Sequence, residues 1–199
     1  MKQKDKYMRK ILIYSFFFLA SIIFFLSCEK NYSSLTQDIQ IDSPILFAKI
    51  YVNYAWGYQY SGWYVDLEGQ IYEFDEDIEP KLDITHNATI SEEVLLESLQ
   101  SASKTEVYLD LHVLSEMIKL INPSCQGKLT DPQNVCMDFG KISYFTFIRN
   151  QKGDIYRSIL VYQAGDWALK NLQPEAKELF VLLRKHVDND TSQLPCSLQ

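Results

Sequence analysis

Lys141-Ile142-Ser143-Tyr144-Phe145-Thr146-Phe147-Ile148-Arg149, then Asn150-Gln151-Lys152-Gly153, then Asp154-Ile155-Tyr156-Arg157-Ser158-Ile159-Leu160-Val161-Tyr162, is two β-rich runs meeting across four turn-forming residues. β-Branched and aromatic side chains dominate both runs, and the glycine supplies the left-handed backbone that closes a short antiparallel connection. The stretch therefore reads as a hairpin. The same device stands earlier, where residues 60–66 and 70–75 are separated by Asp66-Leu67-Glu68-Gly69. A local match runs from Gly69-Gln70-Ile71-Tyr72 to Gly153-Asp154-Ile155-Tyr156, but the flanking residues do not align. One turn solution is used twice, and no domain is duplicated.

Outward from the hairpins, residues 45–54 alternate. Leu46, Ala48, Ile50, Val52 and Tyr54 fall on one face, Lys49 and Asn53 on the other, which is the period of a half-buried strand. Between the hairpins lie two helical stretches. Thr89-Ile90-Ser91-Glu92 has capping-box spacing, with Ser91 as a competing cap, and Val94, Leu95, Leu99 and Ala102 then gather near one face. Leu111, Leu114, Met117, Ile118 and Ile121 form a second apolar stripe, ended by Asn122-Pro123. Pro174 opens a third helix, where Ala176, Leu179, Phe180, Leu183 and Val187 repeat at helical spacing. The order β-β-β-α-α-β-β-α, with hairpins in place of βαβ crossovers, predicts an α+β fold. Its sheet is mainly antiparallel, of about five strands, with the helices packed on one face. A single globular domain is expected over residues 45–188, followed by a polar, loose tail at 189–199.

The chain of 199 residues is 47% hydrophobic and 23% charged, a globular composition, and carries a formal charge of −7. Residues 1–27 hold five basic residues against Asp5, and removing that +4 leaves −11 on residues 28–199. Nucleic acid is excluded as a partner, because phosphate binding needs clustered Lys and Arg, and here the basic residues are scattered among a larger number of acids.

The amino terminus follows the grammar of a secretion signal: a basic stretch over 1–10, an uncharged apolar run over 11–26, and then Ser27-Cys28. The run is about 16 residues, short of the roughly 20 that span a bilayer as a permanent helix. Phe25-Leu26-Ser27-Cys28 resembles the lipobox recognised by the lipoprotein signal peptidase, in the relaxed form that occurs in Bacteroidota and some spirochaetes. It departs from the usual pattern, which has Leu three places before the cysteine and Gly or Ala directly before it. The resemblance implies a signal peptide over 1–27, an acylated Cys28 that anchors the protein to the membrane, and a polar tether over 28–44. The expected address is the cell envelope, at the outer membrane. An uncleaved signal anchor is the alternative; it gives the same topology, since the positive charge stays on the cytoplasmic side. Ala55-Trp56-Gly57 through Gly62 to Gly69, and Gly165-Asp166-Trp167, are similar to punctuation in short envelope lipoproteins of Bacteroidota, a resemblance that implies no activity.

Cys125, Cys136 and Cys196 remain, an odd number in an oxidising compartment. Cys125 and Cys136 flank the turn-rich segment 126–132, and closing so short a loop stabilises by about 3 kcal/mol, so they are the expected disulfide. Three separate thiols, or a bridge through Cys196, are the alternatives. No Cys-x-x-Cys pair occurs, and His86, His112 and His186 stand far apart, so neither a metal nor a cofactor is expected. Asp75-Glu76-Asp77 with Glu79 lacks calcium-loop spacing and reads as a solvated loop. Catalytic templates are also missing: no Gly-x-Ser-x-Gly, no His-Glu-x-x-His and no phosphate-cradling glycine loop occurs.

The densest feature is aromatic: Tyr51, Tyr54, Trp56, Tyr58, Tyr60, Trp63 and Tyr64. Cross-strand packing explains such density; alternatively Trp56, Tyr58, Tyr60 and Trp63 line an exposed face for a sugar, peptide or partner protein. The sequence reading is thus a non-catalytic, lipid-anchored binding module that engages a protein or an envelope polymer. Its rivals are an immunity or inhibitor lipoprotein, whose acidity would suit a basic toxin, and, behind it, a hydrolase.

Overall fold

The computed structural model describes residues 41–55, 57–76, 82, 84–150 and 154–198. The chain divides into two units, Met1–Asp38 and Ile39–Gln199. Only the second falls within the described residues; the expected signal segment and Cys28 lie outside them.

The elements run β1 (Phe47–Asn53), β2 (Gln59–Val65), β3 (Gln70–Glu76), β4 (Thr89–Ser91), α1 (Glu92–Ser101), β5 (Ser103–Tyr108), α2 (Leu111–Ser124), β6 (Gln133–Asn134), β7 (Lys141–Arg149), β8 (Ile155–Gly165), β9 (Trp167–Lys170) and α3 (Pro174–His186). The strands pair in the order β5-β3-β2-β1-β7-β8-β9-β6, with β4 against the start of β8, and every strand pair is antiparallel. The α+β class and both hairpins agree with the sequence. The strand count does not: against the expected five, the described residues form nine. The four additional strands, β4, β5, β6 and β9, are two to six residues long. At that length a period-two pattern does not register, and the strands form by pairing along edges that the long strands supply.

The expectation of helices on one face is also corrected. Along β1, Phe47 joins a core with Trp63, Val65, Tyr144 and Ile159, roofed by Leu114, Met117 and Ile121 of α2 and by Ala176, Leu179 and Leu183 of α3. Its neighbour Ala48 joins another core with Tyr64, Phe145, Phe147 and Leu160, covered by Leu95 of α1 together with Leu82 and Ile84. Successive strand residues point to opposite faces, so the sheet is a middle layer, with α2 and α3 on one side and α1 on the other. Ser143 to Ile148 of β7 are accordingly buried without a break.

Local chemistry explains the element ends. At the first hairpin Gly69 holds φ +79°, and the Asp66 carboxylate accepts from the backbone N–H groups of Glu68 (3.0 Å) and Gln70 (2.8 Å). Of the two possible caps for α1, Ser91 serves: its hydroxyl accepts from Val94 N at 3.4 Å, while Thr89 sits in β4. Asp110 caps α2 through His112 N and Val113 N. Pro174 occupies the first turn of α3, where a missing N–H breaks no helical bond.

Both domain boundaries move outward. Asp42, expected in the tether, lies 2.8 Å from Arg149, and Ser43 is buried. The tail over 189–198 is tied down by a disulfide and by hydrogen bonds. The bridge is Cys136–Cys196, with Cα atoms 5.6 Å apart, not Cys125–Cys136. Residues 128–135 do not fold back on themselves; they run beside β9 and its flanking residues, with Thr130 N to Lys170 O at 2.9 Å, Val135 N to Asp166 O at 3.0 Å, and β6 paired to β9. Cys136 is thereby carried away from Cys125. Cys125 stays a half-buried thiol donating to Ile121 O, and burial pushes its pKa up to about 11.

Candidate functional site

The aromatic stretch does not form a common surface. Tyr60 and Trp63 are 2% and 6% exposed, and they lie in the two different cores on opposite faces of the sheet. The Tyr60 hydroxyl donates to Leu82 O at 3.0 Å, and its ring centroid lies 5.0 Å from that of Phe74. Tyr58 is half-buried, 5.4 Å from the exposed Tyr54 ring, and Trp56 lies outside the described residues. Cross-strand packing accounts for Tyr60 and Trp63, and the expectation that they line an exposed binding face is corrected. A 260 Å³ cavity does adjoin Tyr54, Tyr60 and Trp167. Its wall includes Leu82 and Ile84, in a stretch where residues 77–81 and 83 lie outside the described residues, and no site is built on it.

Instead, Trp63 belongs to a polar cluster on the α2–α3 side of the sheet. Its indole N–H donates to Asp188 Oδ1 at 2.7 Å, beside Lys49 Nζ at 2.9 Å. Asp188 Oδ2 accepts from the Tyr144 hydroxyl at 2.5 Å and from Arg184 at 3.2 Å. Burial, together with the Asp188 charge, pushes the Tyr144 phenol far above its ordinary pKa, so it stays a hydroxyl donor. Arg184, itself buried, reaches onward to Asp190 at 2.8 Å and to Ser192 O at 2.9 Å. Hydrogen bonds from Ser192, with Arg184 adding to them, hold the Asp190 carboxyl down at about 2. Lys49, expected on a solvated face, is thus drawn into the layer between sheet and helices. Asp188, two residues past α3, is thus fastened to three strands, and the tail is led back over the sheet.

Beneath that tail lies a cavity of 510 Å³. An aromatic relay leads from the polar cluster into it: Trp63 meets Tyr144 edge-on, Tyr144 meets Phe180 edge-on at 5.1 Å, and Phe180 stacks on Tyr162 at 4.1 Å. Phe180 and Tyr162 form part of its lining, with Val161 from β8, Val181 from α3, and Leu194 and Leu198 from the tail. Burial raises the Tyr162 phenol, against hydrogen bonds with Ser197 and Leu198 of the tail that lower it. Lys170 of β9 and Lys177 and Arg184 of α3 are the charged residues of the lining, and all are basic.

Thr191, Ser192 and Ser197 bring hydroxyls to the lining. Among the described residues no group of His, Cys, Asp and Glu is placed to hold a metal ion, and no helix is long and apolar enough to cross a membrane. Sequence reasoning had placed Phe180 in a core stripe and the tail in solvent, so it missed the cavity. One signal was present: Arg184, in the last turn of the helix, with Asp188 at i,i+4.

Comparison of the chain with protein-family models, with curated proteins and with solved structures returns no match.

Proposed function

We propose that the chain is a lipid-anchored protein of the cell envelope whose exported domain is a non-catalytic binding module, with the cavity beneath the carboxy-terminal tail as its ligand site. The observation that carries the binding reading is the cavity: 510 Å³ lies within the roughly 300–1,000 Å³ usual for small-molecule sites. Val161, Tyr162, Phe180, Val181, Leu194 and Leu198 give it an apolar wall, and polar side chains stand among them, the mixture such sites use. Support for the envelope address comes from Ser27-Cys28 at the end of an apolar run that follows five basic residues, and a disulfide within the domain suits an oxidising compartment. This reading replaces the aromatic face of residues 56–63 as the binding surface.

Native mass spectrometry tests it. The mature protein, released from envelope membranes in mild detergent, should carry an adduct beyond its own acyl groups. Val181 lines the cavity and is 53% exposed, so Val181→Trp should fill the opening, remove the adduct and leave the melting temperature unchanged. A protein without adduct, or an adduct indifferent to Val181→Trp, would sink the assignment.

A further inference from the structure

The polar side chains that line the cavity divide by depth. Asn171 and Arg184 are buried, and both are committed to the protein itself. The Asn171 amide donates to Ser124 O at 3.0 Å and to Leu160 O at 3.1 Å, and its oxygen accepts from Gln173 N at 3.1 Å. Arg184 is held by Asp188, Asp190 and Ser192 O. Lys170 has a partner of its own, and the Tyr162 hydroxyl is engaged by Ser197 and Leu198 of the tail. The other set, Lys177, Thr191, Ser192 and Gln193, is exposed and meets water at the rim.

What the interior offers a ligand is therefore apolar. Val161, Tyr162 and Leu194 are buried, Phe180 and Leu198 half-buried, and the Phe180 ring lies 4.1 Å from that of Tyr162. A sugar or a peptide backbone placed here would lose its hydrogen bonds to water, and the buried groups that might replace them are already spent within the protein. A hydrocarbon chain has no such bonds to lose, and it gains by leaving water for these side chains. The charges do not select an anion. Asp188 and Asp190 balance Arg184, and a solvated lysine such as Lys177 contributes little to holding an ion.

We infer that the cavity takes an uncharged hydrocarbon chain, the alkyl or acyl part of a neutral lipid by chemical class, lying against Phe180 and Tyr162 and closed over by Leu194 and Leu198 of the tail. The inference rests on the reading of this cavity as the ligand site and names what occupies it. It requires no covalent step.

The test is photo-crosslinking of the full chain in lipid nanodiscs with a diazirine-bearing hexadecanol. After irradiation, the crosslinks should map to the peptide that carries Phe180 and Val181, or to the tail around Leu194 and Leu198. Unlabelled hexadecanol should compete at least as well as palmitate, and a diazirine-bearing glucose should leave the cavity unlabelled. Val181→Asp sets a carboxylate of similar size in the lining at an exposed position, so it should weaken labelling roughly tenfold without lowering the melting temperature. Lys177→Glu should leave labelling unchanged to within about twofold. Labelling that appears only in Cys28→Ala would identify the chain as the protein's own acyl group; labelling that is equal in both backgrounds, as a separate lipid. Crosslinks spread evenly over the surface, labelling of the cavity by the glucose probe, or palmitate competing tenfold better than hexadecanol would overturn the inference. Should native mass spectrometry find an adduct that Val181→Trp removes while the hexadecanol probe labels the cavity in neither background, the binding reading stands and the choice of ligand class falls.

Discussion

Four donors converge on the carboxylate of Asp188: Lys49, Trp63, Tyr144 and Arg184. Each comes from a different element, so this one side chain fastens β1, β2 and β7 to the end of α3. Its side chain is 5% exposed, and removing it takes the acceptor from the buried Trp63 and Tyr144 donors and the carboxylate from Lys49 and Arg184. Asp188→Ala should therefore cost about 3–5 kcal/mol. For a domain of this size that lowers the melting temperature by roughly 6–20 °C in thermal denaturation. Asp188→Asn keeps an acceptor oxygen and should lose less. A loss below about 1 kcal/mol for Asp188→Ala would show that the cluster holds nothing together. The role was not legible in sequence. Asp188 read as the last residue of the domain before a loose tail, and Lys49 as the outward side of a strand, because period-two and period-3.6 patterns record which residues are apolar and say nothing about which polar ones meet. Trp63 shows the converse. Aromatic density left core and surface open, and only the register of β2 against β1, with Trp63 opposite Lys49, turns it inward.

At the scale of elements, the segment between α2 and β7 determines the disulfide. Spacing favoured Cys125 with Cys136 because short loops close easily, yet residues 128–135 pair along β9 and its flanking residues and carry Cys136 to the tail. Non-reducing peptide mapping should recover Cys136 linked to Cys196, with Cys125 alkylated only after unfolding, since burial raises its thiol to about 11 and little thiolate exists at neutral pH. Cys196→Ser should cost about 2–4 kcal/mol by freeing a bridge across 60 residues. Recovery of a Cys125–Cys136 peptide would reverse the assignment. Elements were legible in proportion to their length. Strand β7 was delimited in sequence at the residues where it stands, and α3 followed from Pro174 and its apolar repeat, whereas β6 has two residues and no pattern of its own. Sequence also held an unread sign that both faces of the sheet are covered. Tyr144, Phe145, Thr146, Phe147 and Ile148 run without alternation, which a strand open to water on one side would not do.

For the whole molecule, the proposed address rests on one residue. In the full chain, Cys28→Ala should abolish metabolic acyl labelling and globomycin-sensitive maturation; labelling that persists in the variant would remove Cys28 as the acylation site. Composition, the basic-then-apolar amino terminus, the two glycine-closed hairpins and the long amphipathic helices determined, by themselves, an α+β domain with an antiparallel sheet and the expectation of export. These are local properties: a run of side chains or a turn residue carries its own physical preference wherever it lies in the fold. The cavity, the Asp188 cluster, the bridge partner of Cys136 and the splitting of the helices between two faces were decided only by tertiary structure. Each joins groups far apart in the chain, Lys49 to Asp188 and Cys136 to Cys196 among them. Such contacts depend on strand order and register, which arise when the hydrophobic faces of the whole domain are buried together and which no single stretch of sequence encodes.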